Sequence, residues 1–281
     1  MILLDAQEYV HFIPALSSAD INTMFARFVL QEKVTGRVFA DQNGYPASLY
    51  IQHPYGMSLL CGESRSEDFY EKLTAFMLNL DKSRDRIEWL QVYPASLYSR
   101  LEAILGPNLI KKDPDETFTG LLSEEEGKVL EYQRINYKFD KASYLDFKRN
   151  LPHHDRRVVS ITDDIFDQLD GSVVPKHFWN NSGDFIGNGI GFTILENGIP
   201  ISAAFSSFII DNQLEIGIET LVDYRGAGLA SMVCAALIDY CLDHGFEPVW
   251  ACSSGNTGSR KLAEKLGFME AKRVPYYCLP E

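Results

Sequence analysis

Arg225-Gly226-Ala227-Gly228-Leu229-Ala230 is the stretch on which the reading of this chain turns. It follows an alternating apolar run, Leu214 to Leu221, and opens a helix predicted to reach about His244. Leu229, Val233, Leu237, Tyr240 and Cys241 form the apolar side of that helix, and Gly245 stands where a left-handed cap would end it. A helix start leaves its first N–H groups unpaired and carries the positive end of the dipole, so it suits an anion. Small residues at Gly226, Gly228 and Ala230 would let a diphosphate reach the backbone. Alone, such a turn can equally be a tight strand-to-helix connection.

Its neighbours narrow the choice. Gly191 to Glu196 reads as a strand, Asn197-Gly198 as a tight turn, and Ile201 to Ile210 as the returning strand. Asp211-Asn212-Gln213 turns again into the strand ahead of the loop. Hairpin-linked strands argue against a dinucleotide-binding crossover fold. Beyond the helix, Pro248 to Cys252 reads as a strand and Asn256 to Leu266 as a helix ended by Gly267. A last strand is expected over Lys272 to Leu279.

On these residues the run from Glu215 to Leu279 resembles the GNAT superfamily of N-acetyltransferases. Arg225 to Ala230 fits the superfamily's pyrophosphate loop. Asn256-x-x-Ser259-x-x-Leu262, followed by Lys265-Leu266-Gly267-Phe268, fits its second cofactor motif. More narrowly the chain is similar to the zwittermicin A resistance acetyltransferases, through Phe178-Trp179, Asp184-Phe185, Gly189-x-Gly191-Phe192, Glu215 to Ile218, and Leu262 to Phe268. The resemblance implies an α/β (α+β) fold with a mixed sheet whose strands at 214–221 and 248–252 splay apart. It implies acetyl-CoA as acyl donor, with pantetheine beside Ile218, Glu219 and Thr220. Diphosphate would lie on the N–H groups of Gly226, Ala227, Gly228, Leu229, Ala230 and Ser231, beside Arg225. Asn256 would reach the pantetheine arm, with Ser259 nearby, and an amine would attack the thioester directly.

An ammonium must lose a proton before attack, so a carboxylate is expected near the acyl group. Glu219 and Glu215 are the candidates; four residues apart, they share a face if the strand carries no bulge. A solvated or ion-paired strand carboxylate is the plainer role for each. Many relatives place a tyrosine after the leucine equivalent to Leu262, where it protonates the departing thiolate; here Ala263 stands there. Tyr276 or Tyr277 on the last strand is the substitute on offer, with packing as the alternative.

The chain's 281 residues suggest two domains, placed at 1–125 and 126–281 with Ser123 to Gly127 as linker. In the first, strands are expected around Gly36–Gly44, Pro46–Gln52, Met57–Cys61 and Ile87–Tyr93, with helices at Glu67–Leu80, behind a Ser66 cap, and Ala95–Leu105. This smaller α/β domain resembles a degenerate partner lobe of the same family. Support, homodimer formation or one wall of a substrate cleft are the roles open to it. In the second, short helices are expected at Tyr144–Arg149 and Asp163–Leu169.

The net charge of −13 disfavours nucleic acid and anionic membranes and mildly favours a cationic amine. No apolar run is long enough to span a bilayer, and Asp5 and Glu8 interrupt any leader-like start, so a cytoplasmic protein is expected. Five cysteines without a Cys-x-x-Cys pair read as free thiols, and no metal site is expected. His153-His154 reads as a polar loop. His177-Phe178-Trp179 reads as packing or as a wall of an amine pocket, and Ser253-Ser254 lacks a histidine partner for nucleophilic chemistry. The expected activity is acetyl transfer to a small-molecule amine. A non-catalytic acyl-CoA sensor or scaffold and a protein amino-group acetyltransferase are the rivals.

Overall fold

The computed structural model describes residues 1–151 and 155–281, so His153 and His154 lie outside the described residues. In chain order the elements are β1 (Ile2–Leu3), α1 (Met24–Leu30), β2 (Arg37–Ala40), β3 (Ser48–His53), β4 (Met57–Gly62), α2 (Glu67–Met77), β5 (Glu88–Tyr93), α3 (Leu97–Leu105), β6 (Leu109–Lys111) and β7 (Val129–Phe139). There follow α4 (Lys141–Arg149), β8 (Val158–Ser160), α5 (Asp163–Gln168), α6 (Ser182–Asn188), β9 (Gly191–Glu196), β10 (Ile199–Ile210), β11 (Gln213–Thr220), α7 (Leu229–His244), β12 (Glu247–Val249), β13 (Ala251–Ser253), α8 (Thr257–Lys265) and β14 (Phe268–Leu279).

The chain forms two compact units. One holds Met1–Asn136, Cys252–Thr257 and Lys272–Glu281; the other holds Tyr137–Ala251 and Gly258–Ala271. This differs from the single cut at 125/126. The reason is hydrogen bonding: β14, at the far end of the chain, pairs with β5 through Tyr277↔Leu90, so no one cut separates the units. Ser123–Glu125, at the start of the 123–127 segment, is a 3-10 turn whose Glu125 is buried and bonded to Lys112 at 2.8 Å.

In the first unit β2, β3 and β4 form an antiparallel meander, and β5 joins β4 in parallel after the crossover through α2. Alternate strand residues meet the apolar sides of α2 and α3: Tyr50, Leu60, Leu90 and Tyr277 pack with Phe69, Leu73 and Leu101. Ser66 caps α2 as expected, accepting the Phe69 N–H at 3.2 Å.

In the second unit five strands run in the order β12-β11-β10-β9-β8. The hairpin at Asn197-Gly198 turns with both residues at positive φ, as that dipeptide favours. Leu214 and Ile216 of β11 pack with Leu229, Val233 and Leu237 of α7, and Gly245 ends α7 at φ 75°. Phe178, Trp179 and Phe185 are buried; Phe178 packs on Phe205 and Phe208 of β10, and Trp179 donates to the Ser206 carbonyl at 2.8 Å. These aromatics serve the core. All five cysteines are buried free thiols, and burial pushes Cys61, Cys241 and Cys278 up to about 12. No helix of the described residues is long and apolar enough to cross a membrane.

Candidate functional site

The expected strand over 248–252 is two strands. β12 pairs with β11 in parallel only from Gln213↔Glu247 to Glu215↔Val249. At Trp250 the chain changes partner, its carbonyl accepting the Tyr137 N–H at 3.0 Å, and β13 belongs to the other sheet. Trp250 is fully buried and donates through Nε1 to Ser259 Oγ at 3.1 Å, so its side chain pins the turn. The splay therefore lies inside the segment read as one strand.

Past Glu215, then, β11 is paired among the described residues on its β10 side alone. The Leu221 N–H bonds to Ile201, which fixes the ladder's alternation and turns the backbone groups of Ile218 and Thr220 toward the edge that β12 has left. Thr220 is already engaged there: its N–H reaches Glu219 Oε1 at 3.2 Å and its carbonyl accepts from Arg225 Nε at 3.0 Å. Ile218 offers the open edge.

Next along the chain, Arg225 leads into Gly226 and Gly228, at φ 80° and 81°. Both conformations suit glycine, and a Cβ at either position would meet no atom of the described residues within 4 Å. Gly228 precedes α7 without a side-chain cap, and α7 has no acid in its first turn. Gly226, Ala227 and Gly228 are exposed, while Leu229 and Ser231 are buried and seat the helix start in the core. A helix start of this kind, with exposed small residues and no side-chain cap, is chemically able to take an anion on its first N–H groups.

Glu219 and Glu215 share one face of β11, because the bulges fall on β10 instead. There Ile201 and Ser207 are the extra residues. Glu215 is buried. Glu219 Oε2 accepts from Ser172 N at 3.0 Å, Ser172 Oγ at 3.1 Å and Val173 N at 3.2 Å, while Oε1 accepts from Thr220 N and from Arg225 Nη2 at 3.3 Å. Five donors fill the roughly four lone-pair sites of a carboxylate. Glu219 thereby ties the 171–173 loop to the first residue of the glycine loop. Gly171, at φ 136°, makes room: a Cβ there would come within 2.7 Å of Glu219 Cγ.

The remaining expected site residues are dispersed. Ala263 is buried in the core beside α7. Asn256 belongs to the first unit, as does Tyr276, whose ring stacks on Trp89 at 4.7 Å and lies under the Arg134 guanidinium. Tyr277 is buried on the α2 face, and burial raises its phenol. The structure adds a group the sequence reading missed. Arg156 pairs with Glu196 at 2.5 Å and lies over the ring of Tyr224, next to Arg225; a hydrogen bond to Glu196 raises the Tyr224 phenol. Only the register Val158↔Ile194, extended by two residues, would have set Arg156 opposite Glu196.

A family model for GNAT acetyltransferase matches residues 16–277. An uncharacterised N-acetyltransferase, YdfB of Bacillus subtilis, is 27% identical over 253 residues, covering 90% of this chain and 89% of its own. Among solved structures, a GCN5-related N-acetyltransferase-like protein from Streptococcus suis matches with a TM-score of 0.67 at 22% identity, covering 97% and 99% of the two chains. A tandem GNAT protein from the clavulanic acid biosynthesis pathway matches at 0.61 and 12% identity, covering 99% and 97%. These two likenesses show the fold.

Proposed function

Because this chain belongs to the GNAT acetyltransferase family, we propose that it transfers the acetyl group of acetyl-CoA to the amine of a small molecule by direct attack. The observation that carries the reading is the cradle at Gly226 to Ser231, uncapped and open, beside a strand edge freed at Ile218. Acetyl-CoA brings the acetyl thioester; Gly226, Ala227, Gly228, Leu229, Ala230 and Ser231 would hold its diphosphate, and Ile218 its pantetheine amides. Asn256 and Ser259 keep the supporting roles that their motif implies.

The free amine attacks the thioester carbonyl carbon, the C–S bond breaks, and the sulfur leaves with the electron pair. Holding the two reactants in line supplies most of the gain. The amine's proton passes to a carboxylate, for which Glu219 and Glu215 are the two on the acyl-side face. A thiol of pKa about 8.5 needs no strong acid to leave; Tyr276 is the candidate if one acts. An acidic surface favours a cationic acceptor. The narrower resemblance to zwittermicin A resistance enzymes makes an amine antibiotic the first class to screen. The tandem arrangement of one fold neighbour supports reading the first unit as a partner lobe.

Ala263 in the tyrosine position and the fully engaged Glu219 favour one second reading, a sensor that binds acyl-CoA without turnover. Titration of acetyl-CoA into wild type and Gly228→Glu, followed by thiol release with an amine panel, separates the readings. Binding lost in the variant, with turnover in the wild type, supports the enzyme. Binding without turnover on any amine supports the sensor, and no binding by the wild type ends both.

A further inference from the structure

In the first unit, the face that α2 covers turns polar at one end. Tyr50, Gln52, Ser58 and Glu88 are all buried there. The Glu88 carboxylate receives the Tyr50 hydroxyl on Oε1 and Gln52 Nε2, at 2.6 Å, on Oε2. An amide oxygen facing a carboxylate would be repelled, so Glu88 fixes which way the Gln52 amide points. Its other end, Oε1, is then an acceptor: Gln52 is 6% exposed, and Oε1 is buried with no donor among the described residues. Leaving such an acceptor unmatched is costly.

Gln52 and Glu88 line a cleft of about 260 Å³ whose wall also carries Arg37, Arg84, Asp85 and Arg86. That is below the roughly 300–1,000 Å³ of pockets for drug-sized ligands, so the occupant is small. Arg84 is a fixed positive charge, tied to the carbonyls of Phe76, Met77 and Pro280 at 2.9 to 3.1 Å, and Arg86 donates to the Pro54 carbonyl. Arginines outnumber acids here, in a chain whose net charge is −13. A bare cation would be repelled by the arginines, and a phosphate by the Glu88 carboxylate and the Gln52 oxygen. A small zwitterion matches both halves.

We infer that this cleft binds a free α-amino acid, with its ammonium donating to Gln52 Oε1 beside Glu88 and its carboxylate meeting Arg37 and Arg86. The site lies wholly in the first unit and does not depend on the acetyl-transfer reading. The test is calorimetric titration of the full chain with each of the twenty L-amino acids. The tightest binder is then compared with its α-hydroxy analogue and with the amine lacking its carboxylate. The expected result is saturable binding of at least one amino acid, with a Kd between about 1 μM and 1 mM. Both analogues, and the Arg37→Ala and Gln52→Leu variants, bind at least about tenfold more weakly, while acetyl-CoA affinity is unchanged. Arg37 is exposed, so its variant stays informative if Gln52→Leu folds poorly. No saturable binding of any of the twenty overturns the inference. So does a hydroxy acid that binds as well as its amino acid, or an Arg37→Ala protein that binds as the wild type does.

Discussion

Two helices of this molecule begin after strands, and they begin in opposite ways. α2 starts closed: Ser66 takes the Phe69 N–H, and Glu67 and Asp68 supply negative charge at the dipole's positive end. α7 starts open: Gly228 offers no side chain, no acid stands in its first turn, and a Cβ at Gly226 or Gly228 would meet no atom of the described residues within 4 Å. The same backbone physics produces both ends. What differs is that the sequence satisfies one from within and leaves the other without a side-chain cap or an acid in its first turn.

The most direct way to break the contrast is to close α7. Gly228→Glu places a side chain and a negative charge on the cradle, and acetyl-CoA affinity should fall at least about 100-fold, or about 2.7 kcal/mol. Gly228→Asn is the control, since asparagine tolerates the left-handed conformation and adds no charge; its loss should be near tenfold. Equal losses in the two variants would mean that backbone strain, and not the anion site, is being read.

The first unit buries other polar groups as thoroughly as it closes α2, and protons should report this. His53 is held neutral by burial, which lowers its pKa to about 3, and its Nδ1 accepts the Tyr55 N–H at 3.1 Å. The unfolded chain takes up that proton below about pH 6.5. Its contribution to stability is therefore complete above pH 6.5 and is lost as pH falls toward 3, with a slope of at most about 1.4 kcal/mol per pH unit. Denaturant titrations of wild type and His53→Asn between pH 4 and 7 should differ by this slope. Parallel curves would refute it.

Glu219 sharpens the comparison on the open side, because it braces the loop that α7 lacks side chains to brace. Glu219→Gln replaces an acceptor with a donor amid N–H groups from Ser172, Val173 and Thr220. A bracing role predicts a roughly tenfold rise in the acetyl-CoA KM, about 1.4 kcal/mol, with faster amide exchange at Ser172 and Val173. A general-base role predicts instead a kcat loss of about 10²–10⁴ with KM little changed. Measuring KM and kcat separately assigns the residue.

What was legible in the sequence followed local chemistry. Asn197-Gly198 made its hairpin, Ser66 capped α2, and the glycine loop stood between β11 and α7. What was not legible depended on distant partners. β7 went unread because Glu131, Gln133, Arg134 and Asn136 interrupt its pattern, yet Arg134 and Asn136 are buried in the sheet, Arg134 over the Tyr276 ring. The break at Trp250 hides in a run of strand-forming residues and is set by Tyr137, more than a hundred positions earlier. Glu219 could be read as an ion-paired strand carboxylate, as its pair with Arg225 has it, but the donors of the 171–173 loop could not. Periodicity reports which face is buried; it carries no record of which remote backbone group a side chain will meet.

The smallest expected effect tests the closed end. Ser66→Ala removes one capping bond from α2 and should cost about 1 kcal/mol of stability, read as a shift in the denaturation midpoint at constant slope. Glu67 and Asp68 remain, so the exposed helix end should still repel anions, and acetyl-CoA affinity should be unchanged. A Ser66→Ala protein that bound a second equivalent of coenzyme A would show that a cap alone had kept α2 closed. A protein that merely lost stability would show that the acids suffice, and that α7 stays open through the absence of both devices.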